Sequence, residues 1–558
     1  MNPSTAAARA LVAELVRRGV RHSVLAPGSR SAPLAHALAD AAGRGELRLH
    51  VRIDERVAAF TALGLARGSG PVAVVTTSGT AVASLHPAVL EAAHGGVPLL
   101  LLTADRPHEV RGTGANQTTD QVRIFGTAVR FFADVPAPFG RPGEAADLRN
   151  LVARALAAAD GVRSGDPGPA HLNLAFREPL VPDLDSGADS GSESPVEVTG
   201  AVRVDPLAAV EPVLLDDGPR TVVVAGDRAG AAAREFAEAA GHPMLAEPSS
   251  GARAGACAIG PYRLLVPRPD LGGRIERAVV FGHPTLSRPV SALLARSDVE
   301  IVVVAGRGPE WPDAGRRAAR VVSSVHAGGP SRHGDWLSAW QQAGKAAQQA
   351  VDDVAAAGPL TGPAVAAAVW AARQPGEYLM TGSSNPVRDL DLAAAPSPAG
   401  ADDGSVLANR GLAGIDGTLS TATGVALATG RPTRALVGDL TFLHDAGGLL
   451  LGPLEEQPDL QVVVVNDDGG GIFALLEHGE PAHAARFERV FGTPHGADLA
   501  ALCAGYGVPH RRASDLDSLR AALASPPAGR SVVEVPVDRA ALRDLHARIR
   551  AAVDAALS

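Results

Sequence analysis

Short apolar runs alternate with helical patterns along the whole chain. Near the start, apolar positions spaced three and four apart predict a helix over 5–18 and a second over 34–42, with a strand at 23–26 between them. Residues 72–76 and 98–103 are unbroken apolar runs, the pattern of strands buried on both faces of a parallel sheet. A Ser-, Asp-, Gly- and Pro-rich stretch at 183–200 reads as a linker. Beyond it, apolar runs at 221–225, 277–281 and 301–305 predict strands, 341–357 an Ala/Gln-rich helix, and 358–363 a boundary. Further strands are expected at 377–380, 434–437 and 461–465. Strands alternating with helices imply mainly parallel sheets flanked by helices. The expected organisation is three α/β domains over 1–182, 201–357 and 358–558.

The first and third domains rhyme. In each, an apolar strand runs into a polar turn, Thr77-Ser78-Gly79-Thr80 or Gly438-Asp439-Leu440-Thr441. A helix and a second strand follow, ending at Ala104-Asp105-Arg106 or Asn466-Asp467-Asp468. Open α/β sheets bind ligands at such carboxyl ends of strands.

Composition removes several alternatives. The 558 residues carry 51 Lys+Arg against 60 Asp+Glu, a net charge of −9, which argues against nucleic acid as the main partner. The apolar runs are far shorter than a membrane span. Arg9, Glu14, Arg17 and Arg18 interrupt the place where a secretory signal has its apolar centre, so a cytoplasmic protein is expected. Cys257 and Cys503 are too few for a disulfide framework or a Cys-rich zinc site. Lys345 is the only lysine, and Ala346 follows it, which leaves neither a phosphate-binding Gly-Lys-Ser/Thr loop nor a good Schiff-base lysine. Nearly all positive charge is therefore arginine, whose planar fork suits carboxylates.

The sharpest chemical signal is Gly438-Asp439-Leu440 followed, after a strand, by Asn466-Asp467-Asp468-Gly469. A carboxylate at one strand end and an amide or carboxylate at a nearby one can converge on a hard cation, which also takes backbone and phosphate oxygens. Taken alone, the pair also reads as two strand-to-helix turns with Asp as the cap.

The pattern resembles the thiamine diphosphate-dependent enzymes, whose signature is Gly-Asp-Gly, a spacer, then Asn-Asn. Leu440 stands at the third position, as in the branch of the family that makes 2-succinyl-5-enolpyruvyl-6-hydroxy-3-cyclohexene-1-carboxylate in menaquinone biosynthesis. Ala26-Pro27-Gly28-Ser29-Arg30-Ser31, Asp54-Glu55-Arg56, Thr76-Thr77-Ser78-Gly79-Thr80, Thr103-Ala104-Asp105-Arg106-Pro107 and Gly114-Ala115-Asn116-Gln117 extend the likeness. Ser384-Asn385-Pro386-Val387-Arg388, Asn409-Arg410-Gly411 and Gly470-Gly471-Ile472-Phe473 continue it in the third domain, whereas the central domain carries little of it.

The resemblance implies a pyrimidine-binding domain, a central domain and a diphosphate-binding domain, with thiamine diphosphate and magnesium or manganese as cofactors. Glu55 is the implied catalytic residue. A buried carboxylic acid facing N1′ of the aminopyrimidine favours the tautomer whose N4′ removes the weakly acidic C2 proton. Cofactor contacts are implied for Glu55, Ser383, Ser384, Ile415, Gly438, Asp439, Leu440, Thr441, Asp467 and Gly470. The metal set is Asp439, Gly469 and either Asp467 or Asn466: counting back from Ile472-Phe473 selects Asp467, and counting forward from Asp439 selects Asn466.

The implied substrates are two dicarboxylates, 2-oxoglutarate and isochorismate, for which arginine forks are natural clamps. The matching positions are Ser29, Arg30, Arg106, Asn116, Gln117, Arg288, Ser384, Arg388 and Arg410, with Ile472, Phe473 and Leu476 as an apolar wall. The implied assembly is a homodimer or homotetramer with the cofactor between subunits. Another thiamine diphosphate reaction on a 2-oxo acid, or a catalytically idle homologue, would share part of this pattern. Val224-Ala225-Gly226-Asp227-Arg228-Ala229-Gly230 does not make a dinucleotide fingerprint.

Overall fold

The computed structural model describes residues 1–182, 203–306, 308, 310–398, 400 and 406–558. The expected linker at 183–200 lies outside the described residues. The fold is α/β, built from parallel sheets flanked by helices, and its chain divides into two compact units. Among the described residues, no helix is long and apolar enough to cross a membrane.

One unit comprises Met1–Ala208 with Leu419–Gly430 and Gly447–Gln457. Its six-stranded sheet has the spatial order Arg48–Val51, His22–Leu25, Val72–Thr76, Leu99–Asp105, Ala170–Ala175, Phe131–Val135, with every pairing parallel. Val72–Thr76 and Leu99–Asp105 are buried at every position because both faces are covered. On one face, Leu11, Leu15, Leu34, Leu38 and Val152 from three helices pack on Val75, Leu100 and Leu102. On the other, Phe60, Leu63 and Val89 pack on Val74, Leu99 and Leu101.

The helix Glu55–Ser69 begins at a capped turn, where the Asp54 carboxylate accepts the N–H groups of Arg56 and Val57. Such a cap stabilises a helix by about 1 kcal/mol. Its middle approaches the segment around Thr421 so closely that a Cβ at Gly64 would lie 2.0 Å from the Thr421 carbonyl oxygen. Glycine on both sides, Gly64 and Gly424, permits this crossing and fixes the helix that carries Glu55.

The other unit comprises Ala209–Thr418, Arg431–Ala446 and Pro458–Ser558 and contains two larger sheets. A five-stranded sheet runs Ala318–Val322, Glu300–Val304, Arg277–Phe281, Thr221–Ala225, Met244–Ala246. A six-stranded sheet runs Val406–Ala408, Tyr378–Thr381, Thr433–Gly438, Leu460–Asn466, Arg530–Pro536, His510–Arg512. In chain order this is second, first, third, fourth, sixth, fifth, the same order as in the first unit's sheet. The rhyme between the two polar turns is thus a rhyme of whole topologies.

Buried charge joins the two sheets of this unit. Arg253, 1% exposed, donates to the carbonyls of Ala246, Asp391 and Ala394, and the Tyr262 hydroxyl donates to the Asp391 carboxylate at 2.6 Å. Removing one partner of such a network leaves an uncompensated buried charge, which costs about 3–5 kcal/mol.

Candidate functional site

At the carboxyl ends of Thr433–Gly438 and Leu460–Asn466, the second unit opens into a crevice of about 250 Å³. Gly438, Asp439, Leu440 and Thr441 line it from the first strand end, and Asp467, Gly469 and Gly470 from the second. Ser384 and Ile415 also line it. A Cβ at Gly438 would meet nothing within 4 Å, so the backbone there presents a bare surface to the open volume.

The loop after Asn466 is built to fold tightly. Asp468 and Gly469 have φ of 53° and 142°. A Cβ at Gly471 would lie 1.9 Å from Asp467 Oδ2, and one at Gly469 would lie 1.9 Å from the Gly492 carbonyl oxygen. Glycine at 471 lets the chain pass over the Asp467 carboxylate, and glycine at 469 lets it lie against the Gly492 backbone.

Asp439 is buried, and its Oδ2 accepts the Gly469 N–H at 2.8 Å and faces His495 Nε2 at 3.1 Å. Burial pushes the Asp439 carboxyl above its ordinary range. It pushes Asp467 up to about 7, with the Asp439 charge adding to the shift. Two desolvated carboxylates repelling each other at a strand-end crevice are suited to a divalent cation, which would reverse both penalties. Among the described residues, no group of three or more His, Cys, Asp or Glu side chains forms a metal cluster. Asp439 and Asp467 could offer such a cation two carboxylates, with main-chain and ligand oxygens completing its shell. Asn466 points its amide elsewhere: its Nδ2 donates to Glu534 at 2.8 Å and its Oδ1 accepts the Asp468 N–H at 3.1 Å.

An adjoining, more open space of about 500 Å³ is lined by Ser383, Ser384, Arg388, Arg410, Ile415, Ile472, Phe473 and Thr285. Ser384, Ile415, Ile472 and Phe473 line both spaces. Arg410 is 3% exposed and spends its bonds on neutral oxygens, Thr285 Oγ1 at 2.8 Å and Ser383 Oγ at 3.3 Å, while its Nε has no partner. Arg388 donates to the Ser384 carbonyl at 2.8 Å, and burial, then Arg410, hold its pKa down. Two crowded arginines bonded to neutral groups could receive an anionic ligand. Ser384 keeps a left-handed φ of 73°, which places it at the head of helix Asn385–Ala393. Arg288 is not brought into this group; it is 72% exposed and paired with Glu477 at 3.0 Å. Leu476 lines neither space, and its carbonyl accepts a bond from Arg543 at 2.8 Å.

In the first unit, Glu55 is the half-buried first residue of its helix. Arg106, Asn116 and Gln117 come together around Ser78: Arg106 donates to Ser78 Oγ at 3.2 Å and to the Asn116 carbonyl at 2.9 Å. Gln117 donates to the Ser78 carbonyl at 3.0 Å. Arg30 donates to the Phe176 carbonyl at 2.9 Å, with its pKa held down by burial and then by Arg106. Ser29 is exposed beside it.

A fully buried polar network lies beneath this cluster and escaped the sequence reading. Asn173 donates to Asp105 at 2.8 Å and accepts from Gln121 at 2.9 Å, and Gln121 Oε1 accepts the Gly79 N–H at 2.9 Å. The available signal was His171 and Asn173 inside an otherwise apolar strand. His495 and Arg539 also escaped it, since no local spacing ties them to Asp439 or to the Asp468 carbonyl that Arg539 binds.

Residues 5–124 match the family described as thiamine pyrophosphate enzyme, N-terminal TPP binding domain, and residues 395–535 match its C-terminal TPP binding domain. Fold and site thus define a thiamine diphosphate-dependent enzyme. A protein of Kineococcus radiotolerans named 2-succinyl-5-enolpyruvyl-6-hydroxy-3-cyclohexene-1-carboxylate synthase is 55% identical over 573 residues, covering all of both chains. Proteins of the same name from Renibacterium salmoninarum and Saccharopolyspora erythraea are 51% and 48% identical, covering all of this chain and 98% and 100% of theirs. The chain belongs to the family of 2-succinyl-5-enolpyruvyl-6-hydroxy-3-cyclohexene-1-carboxylate synthases, which are thiamine diphosphate-dependent transferases.

Proposed function

We infer that this enzyme decarboxylates 2-oxoglutarate and adds the resulting four-carbon unit in 1,4 fashion to isochorismate, giving 2-succinyl-5-enolpyruvyl-6-hydroxy-3-cyclohexene-1-carboxylate for menaquinone biosynthesis in the cytoplasm. The observation that carries the reading is one crevice system with the carboxylates Asp439 and Asp467 in one part and the arginines Arg388 and Arg410 in the next. Bound thiamine diphosphate supplies the nucleophilic carbon and the electron sink that decarboxylation of a 2-oxo acid requires.

The chain's own residues bind, orient and shield. Asp439, Asp467 and the Gly469 carbonyl hold magnesium or manganese against the diphosphate, with Asp467 preferred because the Asn466 amide is engaged with Glu534. Gly438, Leu440, Thr441 and Gly470 line the diphosphate, while Ser383, Ser384 and Ile415 flank the rings. Arg388 and Arg410 clamp carboxylates, and Ile472 and Phe473 exclude water beside them. Glu55 of one protomer completes the site of its partner by hydrogen bonding the aminopyrimidine, and Arg30, Arg106, Asn116 and Gln117 accompany it. A homodimer is then the smallest active unit, and a homotetramer pairs two of them. Residues 1–182 serve as the pyrimidine-binding domain, 201–357 as the central domain and 358–558 as the diphosphate-binding domain.

Incubation with thiamine diphosphate, magnesium, 2-oxoglutarate and isochorismate, followed by mass spectrometry, tests the reading. The expected product has the mass of both substrates less carbon dioxide. Consumption of 2-oxoglutarate without that adduct would reassign the enzyme as a decarboxylase.

A further inference from the structure

The central sheet contributes a group to the arginine-lined space that neither its sequence nor its family likeness marks. Glu247 follows the strand Met244–Ala246 and is 4% exposed. Its Oε1 accepts two main-chain N–H groups, from Thr285 at 3.0 Å and Leu286 at 2.9 Å. The turn bearing Thr285 is clamped at its base as well, because His283 and Asp227 exchange main-chain hydrogen bonds at 2.9 and 3.1 Å. A Cβ at Gly226 would lie 2.1 Å from the Pro284 nitrogen, so the turn rests directly on backbone.

Thr285 lines the space and its Oγ1 accepts from Arg410. A hydroxyl has one hydrogen to donate, and with an oxygen lone pair taken by Arg410 that hydrogen is available to a ligand oxygen. The Arg410 fork and the Thr285 O–H would then approach the same carboxylate. Burial pushes the Glu247 carboxyl up to about 8, with Asp391 and Asp227 raising it and Leu286 N–H and Arg410 opposing. At neutral pH it is therefore mostly a neutral acceptor, a role that glutamine reproduces.

We propose that Thr285 donates its hydroxyl hydrogen to the substrate carboxylate clamped by Arg410, and that Glu247 is the positioning residue that holds Thr285 in place. This rests on the reading of 2-oxoglutarate as the substrate held by Arg410.

The test measures Michaelis constants for both substrates, kcat, thiamine diphosphate affinity by fluorescence titration and thermal midpoint. The variants are Thr285→Val, Thr285→Ser, Glu247→Gln, Glu247→Leu and the double variant Thr285→Val/Glu247→Leu. Thr285→Val is expected to raise KM for 2-oxoglutarate about tenfold, the loss expected for a hydrogen bond to a charged group, with cofactor affinity unchanged. Thr285→Ser and Glu247→Gln should restore most of the wild-type value. Glu247→Leu should match Thr285→Val, and the double variant should be no worse than either single one.

An unchanged KM in Thr285→Val overturns the proposal, and this variant keeps the test decisive if Glu247→Leu does not fold. Equal losses in both KM values and in cofactor affinity, tracking a lowered thermal midpoint, would mark Glu247 as structural only and overturn its positioning role. A wild-type enzyme that turns over 2-oxoglutarate normally while these variants are silent contradicts only this inference. Wild type inactive on 2-oxoglutarate contradicts the proposed function, and the inference with it.

Discussion

The Asp467 carboxyl is held up to about 7 in the field of Asp439, whose own Oδ2 is tied to the Gly469 N–H at 2.8 Å. Desolvation is the larger cause and the neighbouring charge the second, so the pair carries a cost that a bound divalent cation would offset. Asp439→Asn and Asp467→Asn should each weaken magnesium-supported thiamine diphosphate binding at least about tenfold, roughly 1.4 kcal/mol, while the fold persists. Calorimetric titration with and without EDTA checks this; unchanged affinity in both variants would remove the pair from the metal site.

Glu55→Gln keeps the size and the start of a helix capped by Asp54 but removes the acid. Turnover should fall by at least about a hundredfold, the scale of a lost proton-transfer partner, with cofactor affinity within about twofold of wild type. Steady-state rates and fluorescence titration measure the two separately, and full activity would eliminate Glu55 as the catalytic acid.

Arg410 and Arg288 make a matched contrast. Arg410 is 3% exposed with its bonds on neutral oxygens, whereas the Arg288 side chain is 72% exposed and already paired with Glu477. Arg410→Ala should raise KM for 2-oxoglutarate about tenfold or more, and Arg288→Ala should leave it within about twofold. Similar effects from both would argue against the buried clamp.

Acid sensitivity should come partly from a buried histidine pair. His22 Nδ1 and His50 Nε2 lie 3.0 Å apart, and burial holds their pKa values at about 4 and about 3. Their folded values lie below the unfolded value of 6.5, so the unfolded chain binds more protons once pH drops below it. The neutral pair's stabilisation is complete above about 6.5 and is lost as pH falls toward 3–4, by at most about 1.4 kcal/mol per pH unit per histidine. Urea melts between pH 4 and 7 should show a shallower acid slope in His22→Gln/His50→Gln than in wild type. Parallel slopes would assign the acid sensitivity to other groups.

Strands in the middle of the sheets were legible because burial on both faces demands unbroken apolar runs. Expected strands 72–76, 221–225 and 277–281 coincide with those observed. Arg48–Val51 and His510–Arg512 were not legible, because these short edge strands have mostly exposed or half-buried positions and no apolar run. Ala170–Ala175 and Arg530–Pro536 were missed for another reason: His171, Asn173 and Glu534 are polar groups satisfied by distant partners. The helix expected at 341–357 begins earlier, at Trp336, since the buried Trp336 and Trp340 extend its apolar face.

The same division applies to the crevice. Gly438, Asp439 and Asp467 were legible because a polar turn follows an apolar strand at each place. His495, Glu247 and the Asp105–Asn173–Gln121 network depend on contacts between residues far apart in sequence, which leave no spacing to read.

On the proposed function, decarboxylation is coupled to carbon–carbon bond formation in the crevice of Asp439, Asp467, Arg388 and Arg410. Release of labelled carbon dioxide from 2-oxoglutarate labelled at C1, measured with and without isochorismate beside adduct formation, tests it most directly. One carbon dioxide per adduct is expected, with little sustained release without isochorismate. Sustained release that ignores isochorismate, or no release under any condition with cofactor and magnesium present, would contradict it.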